Sequence, residues 1–194
     1  GMRCYQELTL LPSYDVPLHF IWSKVYQQLH LAFVEQMDEN EHINVGISFP
    51  EYMAEEKAFS LGTKARIFGP TEAGLKQLDL SRFLARLRDY VHLTGVRPVP
   101  AKVHGFSIYS RVHADGSPRQ KARRYAKRHN VTYEEAIKLF PDRKCFYFYP
   151  YVQLKSMTNE QKFALFVKKT KMKSPVQGNF GSYGLGDAAT VPEF

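Results

Sequence analysis

Apolar and polar positions along the chain change period several times, and each change marks an element. Residues 5–10 (YQELTL) alternate and predict a strand, closed by Leu11, Pro12 and Ser13. Leu18, Ile21, Val25, Leu29 and Phe33 then recur at helical spacing, which predicts a helix over residues 15–37, with Asp15 as its cap and Pro17 in its first turn. Residues 43–49 (INVGISF) predict a second strand ended by Pro50, and residues 51–57 a charged loop. A third strand is expected over 65–68, ended by Gly69 and Pro70. Leu75, Leu78, Leu80, Phe83, Leu84 and Leu87 give a helical region over 71–91 its buried side, with a break near 78–81. After a turn at 95–100, residues 103–113 form a strand candidate.

The order β-α-β-β-α-β is that of a ferredoxin-like domain, an antiparallel sheet with two helices on one face. The expectation is therefore an α+β protein with two domains. Residues 2–100 form the ferredoxin-like domain, and residues 101–194 a second α/β domain. In the second half a turn at 114–116 precedes a helix over 117–130 (SPRQKARRYAKRHN), with Ser117 at its N-cap and Pro118 at its first position. Thr132 and Glu135 make a capping box for a short helix ended by Pro141. Residues 145–154 predict a strand broken at Pro150, residues 156–161 a polar turn, and residues 162–168 an alternating strand with Phe163, Leu165 and Val167 on one side. Residues 179–186 (NFGSYGLG) form a Gly-rich tail.

Charge changes the picture at one place. The 194-residue chain carries a net +8, yet residues 102–128 hold eight Lys/Arg against one acid, a net of +7. On the 117–130 helix, Arg119, Arg123 and Lys127 form one row and Gln120, Arg124 and Arg128 the next. Ala122, Tyr125 and His129 make a narrow seat on another face. A solvated helix face is the ordinary reading of such a segment. Self-repulsion at this density opposes folding, so the concentration of charge favours a polyanion site, nucleic acid first. The helix lacks bulky apolar residues opposite its charges, which argues against a membrane-surface helix.

The rest of the composition narrows the class. With 44% hydrophobic and 14% aromatic residues the chain is globular. Cys4 and Cys145 have no metal-ligand spacing, which suits a reduced, cytoplasmic protein. No apolar run approaches a membrane span, no signal peptide is evident, and Gly1 ahead of Met2 reads as a tag remnant.

The Gly-rich tail is neither a Walker loop nor a dinucleotide fingerprint, so its expected role is to bring backbone close to another element. No His/Cys/Asp cluster has zinc spacing and no acidic pair suits two-metal chemistry, so no metal and no cofactor is expected. Histidine remains as the proton handler. By spacing alone, His30 beside Leu29 and Leu31 is a packing histidine, Ser156 a turn serine and Tyr183 a core or loop tyrosine.

An ordered set of motifs changes the weight of these residues: YQQLHLAF near residue 30, NVGISFP at 44–50, SRVHA at 110–114, ARRYAKRH at 122–129, LKSMTNEQKFALFV at 154–167, SYGLG and the terminal VPEF. With their spacing they cover essentially the whole chain, which resembles the CRISPR repeat-RNA-processing endoribonucleases of type I-F systems, the Csy-type subfamily. The resemblance implies a ferredoxin-like domain followed by one bearing an arginine-rich helix. It places the family's catalytic histidine on His30, its ribose-holding serine on Ser156 and its active-site tyrosine on Tyr183. A metal-independent reaction is implied, in which the ribose 2′-hydroxyl attacks the adjacent phosphate to leave a 2′,3′-cyclic phosphate and a 5′-hydroxyl; DNA lacks the nucleophile.

The implied substrate is a CRISPR repeat stem-loop cut at the base of its stem. Arg119, Arg123, Arg124, Lys127, Arg128 and His129 are phosphate candidates in the deep, narrow major groove of duplex RNA. Arg111 matches a guanine-reading arginine, whose fork can take O6 and N7 together. The next reader is commonly glutamine; here His113 stands in its place. Phe163 matches an aromatic that stacks on the terminal base pair, or is a core residue of its strand, and Thr158 matches a second hydroxyl residue. The enzyme is implied to stay on its product, among other subunits of a crRNA-guided surveillance complex. The alternative is a non-catalytic RNA-hairpin-binding subunit. An RRM is disfavoured, since KARIF lacks its aromatic run.

Overall fold

β1 (Cys4–Leu10) alternates as its pattern demands, with Gln6, Leu8 and Leu10 turned inward. In the computed structural model, which describes residues 1–55, 58–112, 118–140 and 149–194, it lies at the centre of an antiparallel sheet. Leu8 faces Ala65 of β5 (Lys64–Gly69) on one side and Leu93 of β6 (Val91–Leu93) on the other. β2 (Gly46–Ser48) continues the sheet beyond β5, and β7 (Arg97–Pro98) pairs with the start of β1. The strand order is β2-β5-β1-β6. α1 (Leu18–Glu35) buries Ile21, Trp22, Val25, Tyr26, Leu29 and Phe33 in the core. α2 (Glu72–Leu78) and α3 (Leu80–Phe83) add Leu75, Leu78 and Leu80.

The second sheet has the order β11-β8-β10-β9, built from β8 (Gly105–Val112), β9 (Tyr151–Lys155), β10 (Lys162–Met172) and β11 (Val191–Glu193). Tyr109, Val152, Leu154, Leu165, Val167 and Val191 join the same hydrophobic core as β1 and α1. The chain accordingly divides into two compact units, residues 1–112 with 149–194, and residues 113–148. β9 packs on α1, and the late strands share one hydrophobic core with α1 and the first sheet. What is plain is a mixed helix-and-sheet fold.

Several local expectations are corrected. Residues 103–113 do not complete the first sheet; β8 opens the second, and short β6 and β7 take the flank of β1. α1 begins after Pro17, with no side-chain cap from Asp15. Within the expected charged loop at 51–57 lies a strand, β3 (Met53–Glu55), which pairs with β4 (Ala58–Ser60); the side chains of both strands are exposed. Asp79 sits at φ 52° and separates α2 from α3, a break the pattern did mark.

In the smaller unit, α4 (Pro118–His129) packs on α5 (Tyr133–Ile137) through fully buried Ala122 and Ala136. Asn130 ends α4 at φ 52°, and Val131 N–H closes back on the Ala126 carbonyl at 3.2 Å, a Schellman-type stop. Thr132 accepts from Glu135 N–H, as its capping box requires. Ser117 lies outside the described residues.

Candidate functional site

His30 lies one residue beyond Leu29, on the border of the α1 stripe, and is only 7% exposed. A buried imidazole needs partners for its polar atoms. Its Nδ1 lies 2.7 Å from the Ser182 carbonyl. A carbonyl can only accept, so Nδ1 carries the proton and Nε2 keeps the lone pair. Burial pulls the His30 pKa below the ordinary histidine value, opposed by the weaker pull of the Ser182 carbonyl. The ring is therefore neutral at neutral pH, with its basic nitrogen defined. It stacks on the Tyr183 ring with centroids 4.0 Å apart and 8° between planes.

Ser182 and Tyr183 reach His30 from the far end of the chain because the Gly-rich segment is a fixed turn. Phe180 bridges to Ile43 and Gly186, and Gly184 N–H closes on the Gly181 carbonyl at 2.9 Å. The turn is then held from three sides. Tyr26 Oη of α1 donates to the Tyr183 carbonyl at 2.7 Å, Ile47 N–H of β2 to the Gly184 carbonyl at 3.0 Å, and Gly186 N–H to the Tyr109 carbonyl of β8 at 2.9 Å. Gly184 sits at φ +73°, and a Cβ there would lie 3.0 Å from the Phe33 ring. Burial raises the Tyr183 pKa, against the opposite pull of Arg111, so the phenol stays protonated.

Two further sequence candidates join this stack. The Arg111 guanidinium lies 5.2 Å from the Phe163 ring centroid and 5.8 Å from that of Tyr183. Phe163 meets Tyr183 edge-on at 6.2 Å and is half-buried, whereas Leu165 and Val167 on the same side of β10 are fully buried. Among the described residues, the buried Arg111 Nε has no hydrogen-bond partner. Arg111, Ser182 and Tyr183 line a cleft of about 480 Å³ that also touches Glu41, His42 and Asp187.

Ser156 and Thr158 occupy the turn between β9 and β10. Ser156 N–H donates to the Gln161 carbonyl at 2.8 Å, and the Ser156 and Thr158 hydroxyls are 3.0 Å apart. Among the described residues, no hydrogen bond joins Ser156 directly to His30 or Tyr183. The link is Gln27. Its Oε1 accepts from Lys155 N–H, the residue before Ser156, at 3.0 Å. Tyr26, Gln27 and His30 thus share one turn of α1; Tyr26 and His30 hold the turn at 182–183, and Gln27 holds the end of β9. Neither Tyr26 nor Gln27 stood out in the sequence. Their position inside YQQLH, with Tyr26 four residues before His30, was the available signal.

On α4, described by itself, Arg119, Arg123, Arg124, Lys127 and Arg128 are exposed. His129 is exposed too, with its ring 4.2 Å from that of Tyr125. His113 lies outside the described residues. Among the described residues no three His, Cys, Asp or Glu side chains gather to hold a metal, and no helix is long and apolar enough to cross a membrane.

Comparison with known proteins adds a second line. The family model of the CRISPR-associated protein Cas_Csy4 matches residues 5–194. The chain is 30% identical over 195 aligned positions to a CRISPR-associated endonuclease Cas6/Csy4 of Escherichia coli (strain UTI89 / UPEC), covering 100% of both chains. It is also 30% identical, with the same coverage, to a CRISPR-associated endonuclease Cas6/Csy4 of Pseudomonas aeruginosa (strain UCBPP-PA14). A solved structure described as a Cas6-related gene product from Pyrococcus furiosus aligns over 99% of this chain and 98% of that one, at 11% identity and a TM-score of 0.37, a likeness that carries no structural argument.

Proposed function

We propose, for a chain that belongs to the Cas_Csy4 family of CRISPR-associated proteins, the function of an endoribonuclease that binds the CRISPR repeat stem-loop and cuts precursor crRNA at the base of its stem. The observation that carries the catalytic part is the His30 ring, neutral, protonated on Nδ1 by its bond to the Ser182 carbonyl, and held flat against Tyr183. Such a ring has one nitrogen free to act as base.

In this reading Nε2 of His30 takes the proton of the ribose 2′-hydroxyl upstream of the cut. The 2′-oxygen attacks the adjacent phosphorus, the P–O5′ bond breaks, and the leaving O5′ takes up one proton, from water or from the His30 imidazolium just formed, so the products end in a 2′,3′-cyclic phosphate and a 5′-hydroxyl. Ser156 holds the ribose and Tyr183 keeps the imidazole plane fixed. The reaction runs without metal, since the base is a side chain and the nucleophile belongs to the substrate. Phe163 offers an aromatic face for the terminal base pair, and Thr158 a second hydroxyl beside Ser156. The buried Nε of Arg111, which has no hydrogen-bond partner among the described residues, suits a group waiting for a base edge. His113 is assigned the neighbouring base, and Arg119, Arg123, Arg124, Lys127, Arg128 and His129 the stem phosphates.

The strand order β2-β5-β1-β6, with α1 and α2 between its strands in sequence, supports a ferredoxin-like unit within the first hundred residues. The second sheet and the arginine-rich helix then belong to the RNA-binding part of the chain, residues 101–194. We assign the protein to the cytoplasm, retained on its product beside other subunits of a type I-F crRNA-guided complex.

The test uses a repeat hairpin RNA in EDTA under single-turnover conditions. Wild-type protein yields a cyclic phosphate end and no product from RNA carrying a 2′-deoxy residue at the cut. His30→Ala lowers the rate about 10²–10⁴-fold, the range for one acid–base group, with hairpin Kd nearly unchanged. Wild-type rate in His30→Ala removes His30 from the mechanism, cleavage of the 2′-deoxy RNA removes the 2′-hydroxyl as nucleophile, and binding without any cleavage by wild-type protein leaves a hairpin-binding subunit.

A further inference from the structure

The first question is what holds Ser156 in place. Among the described residues β9 is the edge strand of its sheet, and every second backbone N–H along it points away from β10. Lys155 N–H is such a donor. It is met by Gln27 of α1, whose Oε1 lies 3.0 Å away, across 128 positions of sequence. The contact falls at the last residue of β9, after which the chain turns into Ser156. The turn itself is short-range: Ser156 N–H to the Gln161 carbonyl, and Glu160 N–H to the Ser156 carbonyl. Those bonds give the turn a shape but do not set its position relative to α1.

On the helix side, Gln27 precedes His30 by three residues and so projects from the same face, about one turn away. A helix turn is stiff. An amide anchored on it therefore transmits the position of the His30 Cα to the end of β9. The neighbouring Tyr26 makes the corresponding bond to the Tyr183 carbonyl. Gln27 differs in one respect: its partner is a backbone N–H immediately before the serine assigned to the ribose.

We propose that Gln27 is a positioning residue for the cleavage reaction, fixing the distance between His30 and the Ser156 hydroxyl through its side-chain amide. The proposal rests on the assignment of His30 and Ser156 to a single ribose. In-line attack tolerates little error in placement, and a shift of about 1 Å can lower a rate about 10²-fold. A merely structural role, satisfying one edge N–H, would act on folding and leave the chemistry alone.

The experiment compares Gln27→Met, which keeps length but has no acceptor, Gln27→Glu, which keeps an oxygen acceptor, and Gln27→Ala as a second deletion. Each is also built on Ser156→Ala, with His30→Ala as reference. The readouts are single-turnover cleavage, hairpin Kd measured with RNA blocked by a 2′-deoxy residue, and the thermal midpoint. Gln27→Met and Gln27→Ala should lower cleavage about 10–100-fold with Kd within about twofold, and Gln27→Glu should recover most of the rate. On Ser156→Ala, Gln27→Met should have almost no further effect, because the group it positions is already gone. Wild-type cleavage in Gln27→Met overturns the proposal. So does an equal fold-loss with and without Ser156, or a loss that tracks the thermal midpoint across the variants. If instead His30→Ala and Ser156→Ala both cleave at wild-type rate, the assignment beneath it fails, and that signature is separate from a failure of Gln27 alone.

Discussion

Substituting Gly184 tests whether the turn that carries Tyr183 is set by close packing. An alanine there must adopt φ +73°, a left-handed conformation that disfavours a Cβ by about 1–2 kcal/mol. The new methyl would also lie 3.0 Å from Cε2 of Phe33 and 3.2 Å from Cγ2 of Ile47. Phe33 is fully buried and Ile47 is 1% exposed, so neither has space to withdraw. Overpacking of this kind costs about 1–3 kcal/mol, and the stiffer unfolded chain returns about 0.4–1. The net expectation is about 2–4 kcal/mol of lost stability. With a urea m-value of roughly 2 kcal/mol/M for a chain of this size, the midpoint should fall by about 1–2 M with m unchanged. The same displacement lifts Tyr183 from His30, so single-turnover cleavage should drop about tenfold or more. Gly181→Ala is the matched control: its Cβ would meet only the Leu185 carbonyl, at an ordinary 3.7 Å, and its φ is not positive. It should unfold within about 0.5 kcal/mol of wild type. If Gly184→Ala unfolds at the wild-type midpoint, or if the two variants behave alike, the turn is not held by Phe33 and Ile47 as described.

In the free protein His30 should titrate below the ordinary histidine value of about 6.5, because burial favours the neutral ring; an NMR titration with its midpoint at or above that value contradicts the burial. The sign for function follows: the basic form persists to lower pH than in an exposed histidine, so cleavage should hold its plateau down into mildly acidic buffer. Arg124→Ala should weaken binding of every hairpin and reduce the slope of log K against log salt by about one. Arg111→Ala should relax discrimination at one base pair and leave that slope nearly unchanged, measured across hairpins that differ at a single pair; equal losses on all sequences would deny Arg111 a reading role. Tyr26→Phe removes the bond to the Tyr183 carbonyl from a fully buried site and should lower stability by about 1–3 kcal/mol in urea unfolding.

Elements that bury one face were legible in the sequence. The stripe from Ile21 to Phe33 and the alternation of β1 and β10 appear where their periods placed them. Elements with no buried face were not. β3 and β4 expose their side chains, so neither shows a buried face, and β3 falls within the stretch 51–57 that reads as a charged loop. β6 and β7 are too short to show a period, and the strand at 103–113 was credited to the wrong sheet, since alternation reveals a strand but not its neighbours. The site divides the same way. Residue types at His30, Ser156 and Tyr183 gained weight only from an ordered set of motifs, for nothing local links a helix histidine to a tyrosine more than 150 positions away. Gln27 left no mark because its partner is a backbone N–H, which every residue except proline offers.

The bond from His30 to the Ser182 carbonyl spans 152 positions. While the protein is being synthesised, the helix that bears the histidine leaves the ribosome long before residues 180–186 have been translated. Through that interval the imidazole has neither the carbonyl that selects its tautomer nor the phenol that fixes its plane. On the proposed assignment of His30, a nascent chain that already contains residues 118–129 but has not reached residues 180–186 lacks the geometry that assignment requires.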